Sequence, residues 1–470
     1  MNPVETNRIC DAKIDASCRL PLLALFGGAA LWLVLGLAVA LAASMTFHKP
    51  ELLAGCPFVT YGHLAPLAND LLVYGFAVPA ALGVMLWIFA RLSQVELVLP
   101  LVPFAGANLW HVGVLLGIVT TLTGNSSGYL WLEFLRPSVM LLGVGFVLVA
   151  VSAVATFAQR QERDLYPSHW FLLAALLWFP WIYSSASLLL VTSQPVRGVA
   201  QAVIDWWYAN NLIYVWLALV GIGIAFYFLP KFTGKPLQSR FYALFFFWTF
   251  MVFGTWAGIP QGSPVPAWYP VGSTFATFLL VIPLLAFVVI LKRSLSGGNK
   301  VKLGGPFCYI RFGLGMFVLS TLLVITLACP ENGHTLDLTW ISQAQVQLQI
   351  LGVAGMILIG TVYYILPLVM DMELPFKGFV KIHHLLSMLG VIVYVASLAF
   401  AGLQQSRSGF MPESALMGLR AASAGQAILL LGSLLLLVNV LIMTLRWKLG
   451  LVKTVVTYVK SPLETSEAKP

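Results

Sequence analysis

Four glutamines occupy alternate positions in the stretch 343-QAQVQLQILG-352, where the intervening residues are apolar. A polar side chain inside a membrane must find a hydrogen-bond partner or line a wet cavity. On a helix, Gln345 and Gln347 point about 200° apart, whereas Gln343 and Gln347 share a face. The stretch therefore predicts amide groups that address two different neighbours.

Other polar residues lie at a similar depth in three further apolar segments, all toward the same predicted side of the membrane. Together with the glutamines they form a predicted interior polar cluster of Asn69, Asp70, Asn210, Asn211, Gln261, Gln343, Gln345 and Gln347. Their common depth suggests that they line one interior pocket. The alternative is that these side chains only join neighbouring helices by hydrogen bonds, each worth roughly 0.6 to 2 kcal/mol.

The elements that carry these residues are membrane-spanning helices. Of the 470 residues, 60% are hydrophobic and only 9% are charged, and the mean hydropathy is +0.91. About 20 apolar residues cross a bilayer as a helix. Twelve such runs predict an all-α, twelve-helix membrane protein, near residues 21–45, 67–91, 100–122, 134–158, 169–192, 210–230, 241–260, 270–291, 308–328, 341–368, 379–402 and 423–445.

The distribution of Lys and Arg sets the predicted orientation. With the N-terminus inside, 21 of these residues fall on the cytoplasmic side and 5 outside, as the positive-inside rule requires. Twelve spans then divide the chain into a cytoplasmic N-terminal tail at 1–20, a membrane domain at 21–450 and a cytoplasmic C-terminal tail at 451–470. The net charge of +9 reflects this bias and attraction to anionic lipid, not a nucleic-acid partner.

The five cysteines show no metal-site spacing. Cys56 and Cys329 each precede a proline in predicted outer loops, where disulfides persist. They suggest a disulfide between these two residues, against the alternative of two unrelated thiols.

Several segments resemble subunit I of the heme-copper oxidases, the cbb3-type branch in particular. They are 61-YGHLAPLANDLLVYGF-76, 207-WYANN-211, 226-FYFLPKFTGKPLQS-239, 248-WTFMVFGTWAG-258, 351-LGVAGMILIGTVYYILP-367 and 382-IHHLLSMLGVIVYVASLAFAG-402. The resemblance implies twelve helices, a bacterial inner membrane, cytochrome c oxidase activity, and other membrane or c-type cytochrome subunits as partners. It also implies heme b, a high-spin heme and copper, held by histidines on the second, sixth, seventh and tenth helices.

In register with that family, every one of these ligand positions carries another residue type. Ala68 and Gln347 stand where histidines hold the low-spin heme, and Gln345 where one holds the high-spin heme. The copper positions carry Asn210, Pro260 and Gln261. His111 is the one plainly intramembrane histidine, and a lone histidine there more often bonds a neighbouring helix than iron. The sequence therefore predicts no heme, no copper and no metal site, and heme pockets closed by side chains, lipid or water.

Three functions remain open on these observations. The first is a non-catalytic scaffold, assembly or regulatory partner in a respiratory-type membrane complex. The second is a membrane protein that conducts protons or a small solute. The third is an active terminal oxidase, as the resemblance alone implies, although oxygen reduction needs a redox cofactor that side chains cannot replace.

Overall fold

The computed structural model describes residues 3–237, 239–295, 305–408 and 411–467, and the regular elements in these ranges are helices. Besides a short helix at Pro330–Leu336, twelve helices follow one another along the chain. Their bounds are α1 Pro3–His48, α2 Tyr61–Ser93, α3 Leu101–Leu122, α4 Arg136–Ala158, α5 Pro167–Leu190, α6 Val199–Thr233, α7 Arg240–Gly254, α8 Trp268–Leu295, α9 Gly305–Leu327, α10 Trp340–Met370, α11 Lys377–Ser408 and α12 Glu413–Glu467.

The predicted membrane architecture is confirmed, with one span shorter than expected. Eleven of the twelve helices are long and apolar enough to cross a bilayer. The exception is α7, whose 15 residues reach only about 22 Å. The predicted seventh span, 241–260, continues past Gly254 as irregular chain. Gly258 has φ +95°, which a helix cannot accommodate, and Pro260 lacks a backbone N–H group.

Three helices form the centre of the bundle. The most apolar 18-residue windows of α2, α6 and α10 are 100%, 94% and 83% buried, against 39–50% for the other membrane-length helices. Each of the three contains a π-helical stretch, at Leu71–Ala77, Asn211–Trp216 and Leu348–Gly355. Such stretches often occur at functional sites. The central helices are those that carry most of the predicted polar cluster.

Residues 3–20, predicted to form an N-terminal tail, are helical and continue directly into the first span. Ile14 and Cys18 are fully buried. Asp15 accepts hydrogen bonds from Trp87 Nε1 at 2.8 Å and Arg91 Nε at 3.0 Å, and both Asp15 and Asp11 form ion pairs with Arg91. The charged residues of this segment make it look like a polar tail in the sequence. In the structure, Asp11 and Asp15 instead pair with Arg91 of α2.

The last three residues of the predicted C-terminal tail lie outside the described residues. Residues 451–467 of that tail continue α12.

The structure does not contain the suggested bridge between Cys56 and Cys329, because both are free thiols. Cys329 lies immediately before the short helix Pro330–Leu336. Its Sγ is 3.9 Å from the Ile325 carbonyl oxygen, so the thiol interacts with the end of its own preceding helix.

Candidate functional site

Six of the eight interior polar residues lie around two cavities rather than in one pocket. The first, the α2–α10 cavity, has a volume of about 180 Å³ and is lined by Ala68, Asn69, Gln343 and Gln347. The second, the α6–α10 cavity, has a volume of about 250 Å³ and is lined by Asn210, Pro260, Gln261 and Gln345. The single predicted pocket is therefore wrong, because a shared depth does not determine which face of a helix a residue occupies.

The helical spacing of the glutamines explains this division. Gln343 and Gln347 face the α2–α10 cavity, while Gln345 faces the α6–α10 cavity. Helix α10 thus forms a wall between the two cavities, with amides on both sides. Both lie where α2, α6 and α10 begin, at the face that the sequence predicts to be outer.

In the α2–α10 cavity, five helices contribute to the lining. Gln347 Nε2 donates a hydrogen bond to Asn69 Oδ1 at 3.1 Å, which joins α10 to α2. Gln426 of α12 also lines the cavity, and its Nε2 donates to the Tyr394 hydroxyl of α11 at 3.0 Å. Helix α1 contributes Leu37 and Ser44. These bonds agree with the alternative that the amides join neighbouring helices by hydrogen bonds.

Two acceptors in the same lining have no partner. The Oε1 atoms of Gln347 and Gln426 are buried and make no hydrogen bond among the described residues. The two side chains belong to residues that are only 1% and 6% exposed. Each amide is therefore satisfied on its donor side and unsatisfied on its acceptor side, which is uncommon for buried polar groups.

The α6–α10 cavity has a different arrangement, in which Asn210 and Gln261 donate to backbone carbonyls. Asn210 Nδ2 donates to the Gly254 carbonyl oxygen at 2.9 Å. A Cβ atom at Gly258 would lie 2.4 Å from Asn210 Cβ, so this glycine lets the chain after α7 fold over the asparagine.

Gln261 connects that irregular segment to the rest of the cavity wall. Its Nε2 donates to the Ala328 carbonyl oxygen at 2.8 Å and to Thr274 Oγ1 at 3.3 Å. Its backbone N–H donates to Asp337 Oδ2 at 3.1 Å. Gln261 therefore lies beyond α7 rather than closing a seventh span, and it fastens the loop to the ends of α8 and α9.

Asn211 and Asp70 line neither cavity. Asn211 is fully buried and satisfied: its Nδ2 donates to the Trp207 and Thr255 carbonyl oxygens, and its Oδ1 accepts from Trp178 Nε1. Asp70 is 1% exposed, and among the described residues its carboxylate interacts with the Glu133 backbone without a hydrogen bond of regular geometry.

Asp70 has aromatic and acidic neighbours at the predicted outer face. Its electrostatic neighbours include Glu133 of the α3–α4 loop and Tyr74 and Tyr208. The two tyrosine hydroxyls contact each other, and the Tyr74 hydroxyl also donates to the Trp131 carbonyl oxygen. Burial raises the pKa of the Glu133 carboxyl above its ordinary value.

His111 is held by helix α1 on both sides of its ring. Trp32 Nε1 donates to His111 Nδ1 at 3.0 Å, and His111 Nε2 lies 3.0 Å from the Ala24 carbonyl oxygen. With Nδ1 accepting, Nε2 carries the proton and donates to Ala24. A Cβ atom at Gly28 would lie 2.2 Å from this ring, so Gly28 provides the space for it. Both nitrogens are engaged, and neither is free to bind a metal.

With the fold and both cavities described, the chain can be placed among known proteins. The family model described as Cytochrome C and Quinol oxidase polypeptide I matches residues 21–435. The chain belongs to this family, the subunit I class of the heme-copper oxidases.

Within that class, similar proteins include cbb3-type subunits. The Cbb3-type cytochrome c oxidase subunit CcoN1 of Stutzerimonas stutzeri is 24% identical over 426 residues, which cover 87% of this chain and 89% of the relative. Cytochrome c oxidase subunit 1 of Rhodobacter capsulatus is 23% identical over 398 residues, covering 80% and 73%. A solved heme-copper terminal oxidase dimer aligns with a TM-score of 0.70 and 13% identity over 91% of this chain and 84% of that chain; this likeness concerns the fold.

The residues at the implied cofactor positions do not fit heme or copper. Heme iron is held by His, Cys, Met or Tyr, and copper by imidazole or sulfur ligands. Ala68 and Gln347 face the α2–α10 cavity, and Asn210, Pro260, Gln261 and Gln345 face the other. None of these residues provides such a ligand. Within the described ranges, no three His, Cys, Asp or Glu side chains converge to hold a metal ion.

Gln426 and Tyr394 are two hydrogen-bonding residues of the α2–α10 cavity that sequence reasoning missed. Gln426 begins an apolar run, 426-QAILLLGSLLLLV-438, and Tyr394 lies within 391-VIVYVASLAF-400. Their depth in α11 and α12 matches that of Gln347 in α10. A search for amides over all twelve spans, rather than over the spans with implied ligands, finds Gln426.

Proposed function

We propose that this chain is a non-catalytic member of its family, a membrane subunit without heme or copper that acts as a scaffold, assembly or regulatory partner in a respiratory-type complex. The observation that carries the proposal is the nature of the residues at the implied ligand positions. The residues at these positions line the two cavities, but their side chains are amides, a methyl group and a pyrrolidine ring.

The cavity dimensions support the same proposal. A cavity of about 150 Å³ holds one benzene ring, and the two cavities measure about 180 Å³ and 250 Å³. A porphyrin has four linked pyrrole rings, so it needs several times that space. In the α6–α10 cavity, Asn210 and Gln261 hold the loop after α7 in place through backbone carbonyls, a structural role that a metal ligand does not have.

In this proposal the chain lies in a bacterial inner membrane with its N-terminus in the cytoplasm. Partner subunits are other membrane proteins or c-type cytochromes, in keeping with relatives that are themselves oxidase subunits. The electron-transfer chemistry of the complex then takes place in those partners.

The test is a reduced-minus-oxidised absorption spectrum of the purified native complex, with metal analysis of the same sample. The subunits are then separated so that any heme is assigned to its own chain. We expect no b-type heme and no copper in this chain. Stoichiometric heme or copper in it would overturn the proposal.

Proton conduction is a second candidate function, and Asp70 favours it. Asp70 is a carboxyl group buried within a membrane span, and such residues often mark proton pathways. Glu133, which lies outside the spans, is a direct electrostatic neighbour of Asp70. Liposomes that contain the chain would show a proton flux lost in Asp70→Asn; a flux equal to that of empty liposomes excludes this candidate.

A further inference from the structure

The walls of the α6–α10 cavity contain hydrogen-bonding groups that the protein itself does not use. On the α10 wall, Ser342 and Gln345 lie about one helical turn apart and line the cavity. Both residues are partly exposed, and their side chains form no hydrogen bond among the described residues. The hydroxyl and the amide can each donate and accept, so this wall can pair with either kind of group on a bound molecule.

The facing wall on α6 adds two further groups. Tyr214 is partly exposed, and its hydroxyl has no hydrogen-bond partner within the described ranges. Asn210 Nδ2 is committed to a backbone carbonyl, whereas its Oδ1 accepts no hydrogen bond from the described part of the chain. The Oε1 atoms of Gln347 and Gln426 are enclosed by other atoms, but these groups on the two walls are not. A molecule in the cavity can therefore reach them.

The charge of the lining determines the charge of the ligand. No Lys, Arg or His is among the described residues that line the cavity. An anion would find no counter-charge there, and burying an ion without one is costly. The carboxylate in the lining, Asp337, already accepts a hydrogen bond from the Gln261 backbone N–H group. The cavity therefore suits a neutral ligand with several hydrogen-bonding groups.

The position and the volume of the cavity limit the source and the size of the ligand. Leu130 and Leu338 lie in loops at the predicted outer face, line the cavity, and are 45% and 79% exposed. The cavity therefore reaches the aqueous surface at that face. Its volume is about 250 Å³, and about 150 Å³ holds the six carbon atoms of benzene. A molecule of about ten non-hydrogen atoms fits at the same density.

We propose that the α6–α10 cavity binds a neutral polyhydroxylated molecule the size of a pentose or pentitol, taken from the aqueous phase at the predicted outer face. Each hydroxyl of such a ligand both donates and accepts, so it can pair with the Gln345 amide or with the hydroxyls of Ser342 and Tyr214. The inference rests on the proposed function, because a high-spin heme and copper at these positions would fill the same space. The ligand joins α6 to α10, two of the three central helices, and so provides a regulatory input to the complex.

The test uses two probes with the same five-carbon chain. Xylitol has a hydroxyl on every carbon, whereas 1,5-pentanediol has only the two terminal hydroxyls. The full chain is held in lipid nanodiscs, and each probe is titrated by saturation-transfer NMR. Empty nanodiscs correct for partition into lipid. The wild-type chain is expected to give a saturable xylitol signal and to bind 1,5-pentanediol roughly tenfold more weakly, because the three inner hydroxyls are missing.

Four variants locate the binding. Gln345→Met removes the amide and keeps the side-chain length, and Tyr214→Phe removes only a hydroxyl from the facing wall. Each is expected to weaken xylitol binding by roughly three- to tenfold. Ala209→Leu places a larger side chain in the lining and is expected to weaken both probes. Gln343→Met makes the same change as Gln345→Met on the α10 face that lines the other cavity, so it is the matched control and is expected to change neither.

Contrary results are easily recognised. A xylitol signal that does not saturate means that water alone occupies the cavity, and it overturns the inference. Equal binding of the two probes, or a Gln343→Met effect as large as that of Gln345→Met, overturns it as well. Heme and copper analysis of the same sample separates the two proposals. Heme or copper in the chain refutes the proposed function, whereas a chain without them that does not bind xylitol refutes only this inference. Thermal unfolding shows that each variant is folded, and the comparison of the two probes needs no variant.

Discussion

The two cavities differ in how their amides are used, although α10 contributes a glutamine to each. Around the α6–α10 cavity, Asn210 and Gln261 donate to backbone carbonyls and hold an irregular loop over the site. Around the α2–α10 cavity, Gln347 and Gln426 donate to side chains and keep an acceptor free. Asn210 and Gln261 therefore hold the backbone of the α6–α10 cavity wall in place, whereas two amide oxygens beside the α2–α10 cavity stay buried and unpaired among the described residues.

The largest effect is expected where the wall of the α6–α10 cavity depends on a glycine. Gly258→Ala places a Cβ atom 2.4 Å from Asn210 Cβ at a residue with φ +95°. Backbone strain and overpacking together are expected to lower the free energy of unfolding by about 3–5 kcal/mol. Thermal unfolding of the purified chain measures the change. Gly262→Ala is the control, because a Cβ atom there has nothing within 4 Å; equal effects of the two changes would contradict the role of Gly258.

A smaller loss is expected when Gln261 is replaced. Gln261→Met removes the hydrogen bonds to the half-buried Ala328 carbonyl oxygen and to Thr274, so we expect a loss of about 1–3 kcal/mol. The same unfolding measurement in lipid nanodiscs tests it. An unchanged unfolding temperature would mean that the loop is held by other contacts.

Gln347→Met is expected to cost less than Gln261→Met, below about 1.5 kcal/mol. It removes the bond to Asn69, but it also removes an acceptor that is unsatisfied in the wild-type chain. Measuring both variants side by side gives the difference directly. If Gln347→Met is as destabilising as Gln261→Met, the two cavities do not differ in the way described.

No heme band is expected in the absorption spectrum when histidines alone are introduced at two of the implied ligand positions. The double variant Ala68→His with Gln347→His provides two imidazoles on opposite walls of the α2–α10 cavity, yet its volume of about 180 Å³ fits one ring and not a porphyrin. We expect no bis-imidazole heme band when the variant is expressed with heme available. Appearance of that band would show that the five helices can move apart, and that only the ligands were lacking.

Most of the fold could be predicted from the sequence, since each membrane helix satisfies its own backbone and needs only a long apolar run. The early end of α7 had a visible signal in Gly258 and Pro260. No sequence signal predicted the packing of residues 10–20, because Asp15 and its partner Arg91 are far apart in the chain. The implied ligand positions were predicted from the resemblance. Their division between two cavities depends on which face of α10 each glutamine occupies. The spacing of Gln343, Gln345 and Gln347 was the sequence signal for those faces.

The π-helical stretches of the three central helices have a consequence for insertions and deletions. A π-helical turn corresponds to one extra residue within an α-helix. Deleting one residue from an ordinary helix rotates every later side chain by about 100° and turns a buried face outward. Deleting one residue within Leu71–Ala77, Asn211–Trp216 or Leu348–Gly355 instead restores α-helical geometry and keeps the flanking faces in place. These three stretches, in the most buried part of the bundle, are therefore where the membrane helices best tolerate the loss of a residue.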